Sequence, residues 1–184
     1  EYAPDKCPVC GVPADKFVEV GDEFSKAKFL KEETYIILGG GIAGLAAAEA
    51  IRKRNPVCTI EIISEEEVFC YNRPMLTKGI LQELDAERFF TRSLEWYEKE
   101  KIRPVLGVSA IGIDREKKEV YLSNGEKKKY DKLIYALGAE GNVPPIEGST
   151  MENVITIRQL SDVNYIKHHL DSIENVAIIG GGIL

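Results

Sequence analysis

The stretch TYIILGGGIAGLAAAEAIR, residues 34–52, constrains the fold more than any other part of the chain. TYIIL reads as a short buried strand, glycines at 39, 41 and 44 follow in the pattern G-x-G-x-x-G, and an alanine-rich helix is expected over 42–54, ending at Asn55-Pro56. CTIEIIS, which begins at Cys58, reads as a second strand. Strand, glycine turn, helix and strand make a β-α-β unit, the element from which parallel, dinucleotide-binding sheets are built.

Three glycines in six residues are weak evidence alone, and the surrounding elements give them meaning. Gly39 permits the tight turn, Gly41 lets a pyrophosphate approach the backbone, and Gly44 lets the helix pack closely on the strand, with Ala48 small for the same purpose. The helix start, with Ile42 and Ala43, offers free N–H groups and about half a positive charge to phosphates. Glu65 stands at the C-terminal end of the second strand, 21 residues after Gly44, where a carboxylate accepts hydrogen bonds from a ribose and repels a 2′-phosphate. NAD and FAD share the adenosine pyrophosphate half, so the turn does not choose between them. Next in YNRPMLTKGIL, Arg73 precedes Pro74 at a helix start and Lys78 follows further along, two cations that form either an anion site or a solvated face.

Further along, RSLEWYEKEKI has helical spacing, and 105–135 holds β-rich pieces separated by turn signals that suggest a small antiparallel meander. Asn124-Gly125 marks a hairpin, so EKKKY after it is read as a solvated strand end. KLIYALGAEG reads as a further buried strand entering a glycine loop, 161–173 as a helix with Ser161 as N-cap, and 176–179 as a final strand. The expected architecture is α/β, a Rossmann-like sheet with a small meander.

Composition excludes several alternatives. A net charge of -6 argues against a nucleic-acid partner, since phosphate binding needs a basic face. No apolar run approaches the roughly 20 residues that cross a bilayer, and EYAPDKCPVC lacks the order of a secretion signal, so no membrane partner and a cytoplasmic setting are expected.

The succession IILGGGIAGLAAAEAIR, IEIISEEEVFCYNRPMLTKGIL, YDKLIYALGAEGNVPPIEG and NVAIIGGGIL resembles the FAD-dependent pyridine nucleotide oxidoreductases, in the branch with rubredoxin reductases, ferredoxin reductases and the flavin part of nitrite reductases. The resemblance covers the chain from about residue 34. It implies that Gly39, Gly41 and Gly44 bind FAD, that Glu65 holds the adenosine ribose, and that Arg73 and Lys78 contact the pyrophosphate and the flavin ring. YALGA looks like the family's A-T/S-G-A segment, whose backbone at Ala136 and Gly138 passes FAD; Leu137 stands where a hydroxyl residue is usual. The implied activity passes electrons from NAD(P)H through FAD to a one-electron carrier such as rubredoxin, with Lys78 stabilising the anionic reduced flavin. The final acceptor, the choice of NADH or NADPH and any homo-oligomer stay open.

The cysteines lie at 7, 10, 58 and 70, and no pair has the C-x-x-x-x-C spacing of the disulfide reductases. Cys58 is expected to be a buried small hydrophobe, Cys70 an inert thiol in the loop before Arg73, and His168 and His169 surface residues. DKCPVCGVPADKF resembles half of a rubredoxin-type iron site or a zinc-ribbon knuckle: Cys7 and Cys10 supply two of the four ligands that tetrahedral iron or zinc needs. Residues 1–20 are accordingly assigned to a partial metal knuckle, 21–33 to a linker and 34–174 to the first part of an FAD-binding domain. Two other function classes compete with the leading one: an NAD-dependent dehydrogenase that uses the first turn for NAD itself, and a non-enzymatic metal- and nucleotide-binding module.

NVAIIGGGIL repeats the first phrase. Gly180 and Gly182 match its first two glycines, and the third would fall one residue past Leu184, so 175–184 reads as the start of a truncated NAD-binding unit in a segment of a longer enzyme.

Overall fold

The computed structural model describes residues 30–180 together with Pro13. Cys7, Cys10, the rest of the knuckle apart from Pro13, most of the linker and Gly182 lie outside the described residues.

β1 (Thr34–Leu38) and β2 (Thr59–Ile63) flank α1 (Ile42–Arg54), and the two strands pair in parallel with Thr34 opposite Thr59. β2 also pairs in parallel with β3 (Ile102–Val105), and β1 with β7 (Lys132–Tyr135), giving the order β3-β2-β1-β7. Between β2 and β3 run a 3-10 helix (Arg73–Ile80), α2 (Ala86–Phe89) and α3 (Leu94–Lys99). β4 (Ala110–Asp114), β5 (Glu119–Leu122) and β6 (Lys127–Lys129) form a separate antiparallel sheet, with Gly125 at φ +86 in the hairpin between β5 and β6. α4 (Leu160–His169) follows a long irregular connection. Among the described residues no helix is long and apolar enough to cross a membrane.

The pleat of the parallel sheet divides its side chains between two cores. Ile37, Ile60 and Ile62 face α1, where they meet Leu45, Ala48 and the ring of Tyr97 from α3. Ile36, Leu38 and Ile63 face the meander and pack on Val120 and Leu122. Glu61 shares that second face as a buried charge in a central strand, and it is neutralised by Lys128 Nζ at 2.9 Å and Arg103 Nη1 at 3.2 Å. Lys128 therefore departs from the expected solvated strand end. The pleat turns the middle lysine of KKK toward Glu61, leaving its side chain 16% exposed.

Arg52 lies on the buried stripe of α1, together with Gly44 and Ala48. Its guanidinium donates to the carbonyls of Cys58 and Pro56 at 2.8 and 3.0 Å and to those of Glu100 and Lys101 at 2.7 and 2.8 Å. One side chain thereby satisfies carbonyls at the entry to β2 and at the turn after α3. Cys58 is buried beside it, as expected of a small apolar side chain, and burial pushes its thiol pKa up.

Four further expectations need correction. The segment starting at Arg73 is a 3-10 helix rather than an ordinary α-helix, and its buried positions Leu76 and Gly79 are three apart, the period of that tighter coil. The N-cap of α4 is Gln159, not Ser161: Asp162 Oδ2 accepts from the Gln159 backbone at 2.7 Å and the Gln159 side chain completes a reciprocal box. Residues 176–179 form no strand, because among the described residues nothing supplies the ladder that a strand needs; Ile178 is 84% exposed. β7 is an edge strand among the described residues and only half-buried, with Tyr135 turned to solvent.

Candidate functional site

The carboxyl ends of β1, β2 and β7 open into a cavity of about 1310 Å³, at the edge where ligands of open α/β sheets collect. Its floor is the glycine turn. Gly39 has φ +115, and a Cβ there would strike the Ala136 carbonyl oxygen, so this position combines a backbone few L-residues adopt with contact to the strand beyond. A Cβ at Gly44 would strike the Gly39 carbonyl oxygen of the turn and crowd the Ile37 side chain of β1 at 3.3 Å, whereas the sequence reading has the third glycine admit the helix to the strand alone. Gly41 is different. Its backbone is extended (φ -79, ψ -175), and a Cβ there would meet no atom of the described residues within 4 Å, because the position faces the cavity.

α1 starts at this turn with Gly41 as N-cap, no side-chain cap and no acidic residue in its first turn. Ile42 and Ala43 line the cavity, so the N–H groups and the positive end of the helix are left for an anion. Glu65, exposed at the end of β2, lines the cavity and makes no hydrogen bond or ion pair among the described residues. Ala136 and Gly138 form the wall beyond β7, with Gly138 at φ +76.

Arg73 also lines the cavity, but within a network invisible to the spacing argument. Its Nη2 pairs with Glu66 Oε1 at 2.8 Å, and its Nη1 donates to Tyr71 Oη at 3.1 Å and to the Arg158 carbonyl oxygen. Arg158 Nε in turn donates to the Ala139 carbonyl at 2.8 Å, so the segment before α4 is tied both to the 3-10 helix and to the loop after β7. Burial first, and then the Glu66 carboxylate, push the Tyr71 hydroxyl pKa far above its ordinary value, so it remains a neutral donor.

Eight of the sequence-predicted residues thus converge on one cavity: Gly39, Gly41, Ile42, Ala43, Glu65 and Arg73, with Ala136 and Gly138 opposite. Gly44 supports the turn from beneath. Lys78 is exposed on the 3-10 helix and is not part of the cavity wall. Gly180 is exposed and lies outside it as well. Cys70 is buried next to the wall, where Thr91 Oγ1 donates to its sulfur at 3.6 Å; burial raises the pKa of the thiol, and Thr91 and Arg73 only partly offset that. His168 is exposed and His169 half-buried on α4. No cluster of three or more His, Cys, Asp or Glu that could hold a metal occurs among the described residues. The sequence reading missed Gly40, packed against Ser64, and also Glu66, Tyr71 and Arg158.

A family model described as pyridine nucleotide-disulphide oxidoreductase matches residues 33–184. The chain is 28% identical over 148 residues to the ferredoxin–NAD(+) reductase subunit of the benzene 1,2-dioxygenase system of Pseudomonas putida, covering 80% of this chain and 36% of that protein. It is 37% identical over 167 residues to a peroxisomal monodehydroascorbate reductase of Arabidopsis thaliana, covering 82% of this chain and 34% of that protein. Among solved structures, NADH:rubredoxin oxidoreductase from Clostridium acetobutylicum superimposes with a TM-score of 0.65 at 30% identity, covering 77% of this chain and 36% of that one. The chain spans little more than a third of the length of these relatives.

Proposed function

The chain belongs to the pyridine nucleotide-disulphide oxidoreductase family, and from that premise we propose that residues 34–174 form the first part of an FAD-binding domain in an NAD(P)H-dependent electron-transfer enzyme. The observation that carries this reading is the uncapped start of α1 above the glycine turn, open to a cavity that also receives Glu65, Arg73 and the loop after β7. At about 1310 Å³ the cavity exceeds the roughly 300–1,000 Å³ typical of small-ligand pockets, as a two-part dinucleotide requires.

The residues present fit FAD. Backbone N–H groups of Ile42 and Ala43, with the helix dipole behind them, would hold the pyrophosphate, and Gly41 leaves room for it to approach. The Glu65 carboxylate would accept from the hydroxyls of the adenosine ribose. Arg73 adds a cation to the phosphate side of the cavity, and the backbone at Ala136 and Gly138 would run past the ligand. Bound flavin supplies a reaction that side chains lack: it accepts a hydride and releases electrons singly. Lys78 is assigned to the flavin ring as a charge that favours the reduced form. Lys78 lies on the same 3-10 helix as Arg73 but outside the cavity wall, and the family resemblance alone supports the assignment.

On this reading NAD(P)H is the electron donor and a small redox carrier, such as a ferredoxin or a rubredoxin, the acceptor. The names of the relatives from Pseudomonas putida and Clostridium acetobutylicum support it. Residues 175–184 would begin a second, nicotinamide-binding unit, supported by the likeness between Gly180 (φ +110) and Gly39 (φ +115). A visible absorption spectrum of the purified chain, desalted after incubation with FAD, tests the cofactor assignment. Retained flavin is expected; a colourless protein that binds NAD instead would favour the dehydrogenase reading.

A further inference from the structure

The wall of the cavity contains a polar cluster that the glycine turn does not explain. Tyr71 is 7% exposed and its ring stacks on Phe89 at 4.8 Å. Its hydroxyl donates to Glu66 Oε2 at 2.5 Å and accepts from Arg73 Nη1 at 3.1 Å and from the Leu160 backbone N–H at 3.2 Å. The Arg73 guanidinium lies 5.0 Å from the centre of the same ring. With Glu66 on Nη2 and with Tyr71 and the Arg158 carbonyl on Nη1, three of the five guanidinium N–H groups have protein partners. Among the described residues nothing takes the other two, the Nε–H and one Nη2–H, the number needed to grip a phosphate bidentately.

We propose that Glu66 and Tyr71 are positioning residues for Arg73, fixing its guanidinium in the cavity wall with two donors left for an anionic ligand. That the ligand is a dinucleotide rests on the function proposed above; the fixing of the guanidinium does not. A carboxylate beside the cation lowers the positive potential of the cavity, so if charge alone mattered the site would bind anions better without Glu66. Holding a flexible side chain in the productive geometry before binding has the opposite effect, because the ordering entropy is no longer lost at the moment of binding. The same hydroxyl accepts from the Leu160 backbone N–H, so Tyr71 also ties Arg73 to the start of α4.

The two accounts predict opposite signs for one substitution. In calorimetric titrations of the whole chain with FAD and with ADP, Glu66→Ala, which removes the acceptor of both Arg73 Nη2 and the Tyr71 hydroxyl, is expected to weaken binding about tenfold, the scale of a charge-assisted hydrogen bond. Glu66→Gln, which keeps an acceptor, is expected to stay within about threefold of the parent and Tyr71→Phe to weaken binding about threefold to fivefold, each the scale of a neutral hydrogen bond. Nitrogen-edited NMR of the ligand-free chain supplies a readout that a merely stabilising pair would not move: hindered rotation of the Arg73 guanidinium in the parent, and averaging in Glu66→Ala or, should that variant not fold, in Tyr71→Phe. Binding by Glu66→Ala equal to or tighter than the parent, or a guanidinium that stays hindered in both variants, overturns the positioning role. A parent chain with a hindered guanidinium that binds neither FAD nor ADP instead overturns the dinucleotide reading, and with it the ligand named here.

Discussion

Residues 34–44 and 175–180 carry nearly the same words, and the molecule treats them differently. Both run an apolar stretch into a glycine with a strongly positive φ, +115 at Gly39 and +110 at Gly180. In the first, Ile36, Ile37 and Leu38 are at most 1% exposed between β2 and β7; in the second, Val176, Ile178 and Ile179 are 72–84% exposed and, among the described residues, pair with nothing. The shared phrase therefore encodes a local backbone bend, while strand formation and burial come from neighbours that the phrase does not contain. Gly39 is pinned by the Ala136 carbonyl and Gly44 by Gly39, whereas among the described residues no heavy atom lies within 4 Å of where a Cβ at Gly180 would be.

That contrast can be broken most directly by putting the same side chain at both bends. Gly39→Val should lower the unfolding free energy by about 4 kcal/mol, adding backbone strain to overpacking against Ala136. Gly180→Val should change it by less than about 0.5 kcal/mol, because an unpacked segment relaxes around the new side chain. Urea titrations of both variants compare them, and equal losses would mean that the second phrase is packed as tightly as the first.

A smaller effect is expected at the side chain that locks the first unit together. Arg52→Ala strands four carbonyls around the entry to β2 and the turn after α3, and should cost about 3 kcal/mol by the same titration. A loss below about 1 kcal/mol would show that water replaces the guanidinium without penalty. Glu65→Ala leaves the scaffold intact and should weaken FAD retention about tenfold, the loss of hydrogen bonds from a ribose to a charged group. Full flavin content after gel filtration would remove Glu65 from the ribose assignment.

The mildest test is alkaline. Burial pushes the Tyr97 hydroxyl pKa up to about 12, and that of Tyr71 moves in the same direction. The folded state thus favours the neutral phenols. Their contribution is fully present below the ordinary tyrosine value of about 10 and is lost as pH rises through the folded value. Thermal melting between pH 9 and 12 should show stability falling only above pH ~10. Tyr97→Phe should flatten part of that fall, and an unchanged profile would place the alkaline loss elsewhere.

Much of the β-α-β unit was legible because each of its signals is local. TYIIL, the Ile42–Arg54 helix and the strand after Cys58 appear within a residue of the expected bounds, as does the Asn124-Gly125 hairpin. Features that depend on a distant partner were not legible. In SEEE three carboxylates follow one another, and only the fold sends Glu65 to the cavity and Glu66 to Arg73. KKK is uniform on paper, yet the pleat singles out Lys128 because Glu61 waits on the facing sheet. Ser161 looked like a cap on composition, but Asp162 bonds the backbone of Gln159 and moves the cap back. Arg158 lies in irregular chain, where no periodicity reports on a contact with Ala139.

Gly41 allows the central claim to be separated from the stability of the scaffold. Its extended backbone accepts a side chain, and a Cβ there meets no atom of the described residues within 4 Å, so Gly41→Val should leave unfolding within about 1 kcal/mol of the parent. The added methyls would occupy the approach to the start of α1. Calorimetric titration of the parent and of Gly41→Val with FAD is the direct measurement: the predicted result is FAD binding by the parent and at least about tenfold weaker binding by the variant at matched stability, a loss of about 1.4 kcal/mol. Equal affinity, or a parent chain that does not bind FAD, would contradict the assignment of this cavity.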